Sequence, residues 1–106
     1  MGAPKTTEFV VYIDEKLARL IPKFVGIQME QLELMKTAAK NKNYLELKFL
    51  GHRMKGSCGG YGFSILGDLG REIENAAVAQ DGALVTNVLA RLENCLVNLK
   101  IEYRKT

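Results

Sequence analysis

Four stretches of this chain repeat apolar residues at spacings of three and four, the signature of helices that bury one face. Ahead of them, Phe9 to Ile13 form a brief apolar lead-in of strand-like composition, too short and isolated to predict a sheet. Asp14 is placed to cap a short first helix that reaches about Leu20. Pro22 fits the first turn of a second helix, where its missing N–H has no intrahelical partner to lose. That helix carries Phe24, Ile27, Gln28, Gln31, Leu34 and Met35, then fades into Lys40-Asn41-Lys42-Asn43. Asn43 suits the N-cap of a third helix, which runs through Leu47, Leu50 and Met54 and ends at Gly59 and Gly60. Ser64 opens a fourth with Leu66, Leu69, Ile73 and Ala77 on one face, and Asp81-Gly82 is the next break. A fifth shows Val85, Val88, Leu92, Leu96, Leu99 and Tyr103 at helical spacing. The expected fold is all-α: an antiparallel four-helix bundle with a short additional N-terminal helix as a cap.

Composition sets limits rather than naming a function. The 106 residues make a single domain, 1–106, with 1–8 expected to be a flexible leader. A hydrophobic fraction of 47% and a charged fraction of 25% are those of a globular protein that needs no disulfide or metal to build a core. Lysines and arginines are scattered and the net charge is only +3, so no nucleic-acid partner is expected. No apolar stretch approaches the ~20 residues of a membrane span, and no membrane partner is expected. Met1-Gly2-Ala3-Pro4-Lys5-Thr6 formally fits an acylation pattern, but the pattern is short and a frayed terminus explains it as well. Cys58 and Cys95 match no zinc spacing, so the expectation is two reduced thiols, no metal, and a cytoplasmic location.

The single histidine, His52, focuses the search for chemistry. On a helical wheel at about 100° per residue, Leu47, Leu50, Met54, Cys58 and Tyr61 cluster as the core face of the third helix. His52 projects about 170° from the centre of that cluster, into solvent. Lys48, Phe49, Lys55, Gly56 and Gly59 lie on its side, with Leu45 almost directly behind it. A lone helical histidine is most often an ordinary surface side chain, but two features argue for more. Gly56 costs about 1 kcal/mol relative to alanine inside a helix, and it leaves the approach to the ring clear. Leu45 and Phe49 put apolar bulk where a wet face is expected, which suggests a docking patch. The plainer explanation is that the short first helix covers one edge of it. Lys55, one turn after the ring, is either a solvated lysine or a counter-charge to an anion attached to the imidazole.

The segment His52-Arg53-Met54-Lys55-Gly56-Ser57-Cys58, followed by Gly62, Phe63, Leu66, Leu69 and Glu74, resembles the histidine-containing phosphotransfer (HPt) domain of multistep phosphorelays. That family places a lysine three and a glycine four positions after its phospho-accepting histidine. Small residues follow, then a glycine ten positions on and a hydrophobic stretch ending in glutamate. This chain fills those places in register, and Leu20-Ile21-Pro22-Lys23-Phe24 looks like the start of the family's second helix. Gly51 departs from the pattern, standing where an alanine-like residue is common. Gly67 and Gly70 make the fourth helix glycine-rich, which either loosens it or lets it approach the third closely.

The resemblance implies a phosphocarrier. A phosphoryl group passes from a receiver-domain aspartyl phosphate, or from a histidine kinase, to His52, and then to the aspartate of a response-regulator receiver. Lys55 is the candidate for phosphate stabilisation. The family's chemotaxis-kinase type implies that Glu74 orients the imidazole; a surface pair with Arg71 is the alternative. Leu45, Lys48, Phe49, Gly56 and Gly59 are the candidate docking residues. No cofactor is expected on this chain, because no acidic cluster surrounds His52 and the Mg²⁺ belongs to the receiver. One chain supplies four helices, so a monomer is expected. Two other classes remain open at this point: a phosphorylation-independent module that binds receivers, and an HPt fragment of a larger hybrid or chemotaxis-type kinase. With no glycine-rich nucleotide loop, autophosphorylation from ATP is not expected.

Overall fold

The computed structural model describes residues 8–105, so the acylation pattern and all of the expected leader except Glu8 lie outside the described residues. Four helices, α1 (Ile21–Lys40), α2 (Tyr44–Gly60), α3 (Ser64–Val78) and α4 (Gly82–Val97), form a closed ring in which each packs on the one before and the one after, α4 returning to α1. Turns of three residues join them, which makes successive helices antiparallel.

The three turns share one device. The residue at 42, 62 or 80 has positive φ: 53° for Lys42, 91° for Gly62 and 52° for Gln80. The next residue then donates its N–H back to a carbonyl five positions earlier: Asn43 to Ala38 at 2.8 Å, Phe63 to Cys58 at 2.9 Å, and Asp81 to Ala76 at 3.0 Å. This left-handed closure satisfies carbonyls that the helix end leaves unpaired. Two of the donating residues also cap the helix that follows. The Asn43 side chain accepts from the Glu46 N–H at 3.2 Å, and that of Asp81 from the Leu84 N–H at 3.0 Å. Asn43 and Asp81-Gly82 therefore punctuate the chain where their chemistry predicts.

The expected faces of α2, α3 and α4 are buried: Leu47, Leu50, Met54 and Cys58; Leu66, Leu69, Ile73 and Ala77; Val85, Val88, Leu92 and Leu96. Phe24 and Phe63 stack at 5.0 Å between ring centroids, and half-buried Tyr61 leans on Phe24 at 4.6 Å. The face of α1 differs from expectation. Phe24, Gln28 and Met35 are buried, but Ile27 and Leu34 are exposed, and Leu32 takes the core position instead. The true stripe is Ile21, Phe24, Gln28, Leu32, Met35 and Ala38. The extra apolar residues at 27, 29 and 34 blur it in the sequence.

The chain ends of the described fold correct three expectations. Phe9–Asp14 is a strand, β1, and Leu99–Arg104 is a second, β2, paired parallel to it from Phe9 opposite Leu99 to Asp14 opposite Arg104. The lead-in does form a sheet, because its partner arrives from the far end of the chain. By the same token α4 stops at Val97, and Leu99 and Tyr103 belong to β2 rather than to a longer helix. Val11 and Ile13 turn inward onto the bundle while Val10 and Tyr12 face out, with the Arg104 guanidinium 3.6 Å above the Tyr12 ring. Between β1 and α1 the expected short helix is a single 3-10 turn, Glu15–Leu17, which buries no side chain. Asp14 does cap it, accepting from the Lys16 N–H at 3.0 Å.

Candidate functional site

His52 stands at the middle of α2 with its side chain 67% exposed. It is not isolated: Nδ1 lies 3.1 Å from Oε2 of Glu74 on α3, a carboxylate only 19% exposed. A carboxylate can only accept, so Nδ1 carries the proton in the neutral ring and Nε2 keeps its lone pair. Arg71, the alternative partner of Glu74, lies 3.7 Å from Asp68 instead.

This geometry depends on how closely α2 and α3 approach. A Cβ on Gly51 would come within 2.7 Å of the Gly70 carbonyl oxygen and 2.8 Å of the Glu74 nitrogen. A Cβ on Gly70 would meet the Gly51 carbonyl oxygen and the Lys55 nitrogen, each at 2.8 Å. Backbone therefore lies against backbone next to residue 52, and the short carboxylate of Glu74 reaches the ring. Of the two readings of the glycines, close approach is the one realised. Gly51, a departure in sequence, is the reciprocal of Gly70. The signal for it was present as small residues at 51, 67 and 70 on facing helices, but their pairing needs the third dimension.

Leu45, Lys48, Phe49, Lys55, Gly56 and Gly59 are exposed along with His52, all within about 60° of it around α2. Leu45 and Phe49 are 63% and 59% exposed, so the short N-terminal segment does not cover the apolar patch. A Cβ at Gly56 or Gly59 would meet nothing within 4 Å, which means that neither glycine is required by packing inside this chain. On the α3 flank, Lys55 and Arg71 rim a notch of about 200 Å³ with Gly59, Ser64, Gly67 and Asp68. On the α1 flank, Arg53 and Ser57 border a second crevice that was not anticipated from the sequence. Among the described residues no group of three or more His, Cys, Asp or Glu is placed to hold a metal, and no helix is long and apolar enough to cross a membrane.

A four-helix ring that presents one accessible imidazole, with one ring nitrogen tied to a carboxylate and the other free, is a histidine-presenting bundle. The Hpt domain family matches residues 19–101, which span all four helices, and the chain belongs to that family of histidine phosphotransfer domains in two-component signalling. Comparison with curated proteins and with solved structures gave no significant match.

Proposed function

We propose that Nε2 of His52 accepts a phosphoryl group from a receiver-domain aspartyl phosphate, or from a histidine kinase, and passes it to the aspartate of a response-regulator receiver. The observation that carries this reading is the exposed ring with Nδ1 held at 3.1 Å by Glu74. The Nε2 lone pair attacks phosphorus in line, the P–O bond to the aspartyl carboxylate breaks, and the carboxylate leaves with that electron pair. The ring becomes an N-phosphorylated imidazolium still protonated at Nδ1, and the Glu74 carboxylate offsets its positive charge. Lys55, one turn along α2, meets the phosphoryl oxygens, and the receiver's own acidic pocket supplies the Mg²⁺. Leu45, Lys48, Phe49, Gly56 and Gly59 form the surface on which the partner sits. In this reading the protein acts as a cytoplasmic monomer, with ATP chemistry left to a separate kinase domain.

Incubation with a panel of phosphorylated receivers tests the proposal. Wild type takes up an acid-labile, base-stable phosphate that His52→Ala does not. Failure of every receiver and every kinase to label wild type overturns it. A His52→Gln variant that kept full signalling activity would instead select docking without chemistry, which the exposed Leu45 and Phe49 also support.

A further inference from the structure

Two carboxamides on α1 present donors with nothing opposite to receive them. Gln28 is 2% exposed, and its Oε1, like that of Gln31 one turn later, is sealed from solvent. The amide edge left open in each is therefore Nε2, which has no hydrogen-bond partner among the described residues. Both glutamines line a crevice of about 240 Å³ between α1 and α2, with Phe24, Ile27 and Met54 as apolar walls. On its α2 side stands Arg53, whose guanidinium takes part in none of the ion pairs among the described residues. Ser57 and Tyr61 add hydroxyls, which donate or accept, and no carboxylate lines the crevice. A guanidinium and a carboxamide NH₂ only donate, so the crevice gathers donors around a space that holds no anion of this chain.

We propose that this crevice is a docking site for a carboxylate side chain of the receiver that engages His52. The receiver as its source rests on the phosphotransfer reading; the preference for a carboxylate does not. Three features point to that group. A carboxylate only accepts, and its two oxygens can take bonds from both walls, Nε2 of Gln28 and Gln31 on one and the Arg53 fork on the other. Charge complementarity favours it over a neutral carbonyl, because Arg53 has no counter-ion among the described residues. The apolar walls suit the methylenes of an aspartate or glutamate, and about 240 Å³ holds the carboxylate together with them. The position is also continuous with the candidate site, because Arg53 and Ser57 stand only about 100° and 140° around α2 from His52. The receiver thus meets Glu74 and Lys55 on one flank of the imidazole and a donor-lined crevice on the other.

Nitrogen-15 NMR of the full chain, with chloride exchanged for propionate at constant ionic strength, tests the crevice directly. The side-chain amide signals of Gln28 and Gln31 and the Nε–H signal of Arg53 move saturably in wild type. In Gln28→Leu/Gln31→Leu, which replaces two orphaned carbonyls by apolar groups of similar size, the Arg53 movement disappears. Arg53→Met, at an exposed position, abolishes the glutamine movements without touching the core. No saturable movement in wild type, or an Arg53 movement that survives in the double variant, overturns the carboxylate site. The receiver has a separate readout. With the receiver that exchanges phosphate fastest with His52, Gln28→Leu/Gln31→Leu raises KM about tenfold while kcat moves little, as the loss of charge-assisted hydrogen bonds requires. Arg53→Glu raises KM further, and one Asp or Glu to Lys change on the receiver surface restores it. An unchanged KM in the double variant, or no restoring position on the receiver, overturns the receiver as the source of the carboxylate. If no receiver exchanges phosphate with wild type, the phosphotransfer reading and the receiver assignment fall together, whereas the propionate titration still decides whether the site exists.

Discussion

The proposed mechanism divides the work around the histidine between Glu74 for orientation and Gly56 for access, and each can be tested without disturbing the other. In the proposed mechanism the Glu74 carboxylate, 3.1 Å from Nδ1, both fixes the proton there and balances the charge that the ring gains on phosphorylation. Glu74→Gln retains an acceptor but no charge, while Glu74→Ala removes both. Phosphotransfer is therefore expected to fall in the order wild type, Gln, Ala, with a loss of about 10–100-fold for alanine by analogy with other ligand-orienting partners. Nitrogen-15 shifts of the ring in Glu74→Ala should show the proton redistributing between Nδ1 and Nε2; an unchanged tautomer would end the orienting role. Gly56 has open space where its Cβ would be. Gly56→Ala should raise stability by up to about 1 kcal/mol, because a helix-interior glycine is replaced at no packing cost. The same variant should slow transfer from a receiver, since a methyl group then projects one turn from the ring. A thermal melt and a transfer time course on one sample separate the two effects. Equal transfer rates would show that the glycine does not serve access.

At the scale of elements, the three turns carry a testable imbalance. All of them need a left-handed residue, but only one has glycine there, at Gly62; the others use Lys42 and Gln80. A side chain in that conformation costs about 1–2 kcal/mol, which glycine avoids, although glycine gives back part of the gain through the unfolded chain. Lys42→Gly and Gln80→Gly are each expected to stabilise the fold by about 0.5–1 kcal/mol, read as a higher denaturant midpoint at unchanged m-value. The two gains should add, because the turns close different helix pairs. Gly62→Ala should do the opposite. These turns also show what could be read from the sequence. Asn43 and Asp81 announce themselves through local chemistry, and Leu66, Leu69 and Ile73 through strict helical spacing. The strands announce nothing locally. Val11 and Ile13 alternate over too few residues to be decisive, and their partner lies about ninety positions away. Leu99 and Tyr103 fit the α4 stripe at spacings of three and four, yet Leu99, Ile101 and Tyr103 fit a strand at spacings of two, and only the pairing decides between them. The candidate site is legible for the same reason as the helices. His52, Lys55, Gly56 and Glu74 sit at fixed offsets, whereas the Gly51–Gly70 contact belongs to a pair of helices.

Across the whole molecule, the closed helix ring hides both thiols, and this gives stability a dependence on alkaline pH. Burial pushes the Cys58 thiol up to about 11, the nearby Cys95 adding to the effect, and burial alone pushes Cys95 to about 11. Below about pH 8 folded and unfolded chains both keep these thiols protonated, and neither group changes the folding equilibrium. As pH rises from about 9 towards about 11, the unfolded chain sheds protons that the folded chain retains, so the unfolded state gains and stability falls across that window. Lys36, whose ammonium is held charged by hydrogen bonding to Glu93, has its pKa raised as well, and loses its contribution only once pH passes its own folded value. Cysteine replacement separates the two. Urea midpoints of wild type should decline between pH 8.5 and pH 10, on the order of the range set by the thiol shifts. Cys58→Ala/Cys95→Ala should start lower, because it leaves space in the core, but decline less steeply. The same burial makes the thiols a gauge of opening. Alkylation requires thiolate, so iodoacetamide at pH 8 should label neither cysteine in the native chain faster than the bundle unfolds, while both react at once in urea. Rapid native labelling of Cys58 would mean that α2, and the histidine it carries, separates from the ring without global unfolding.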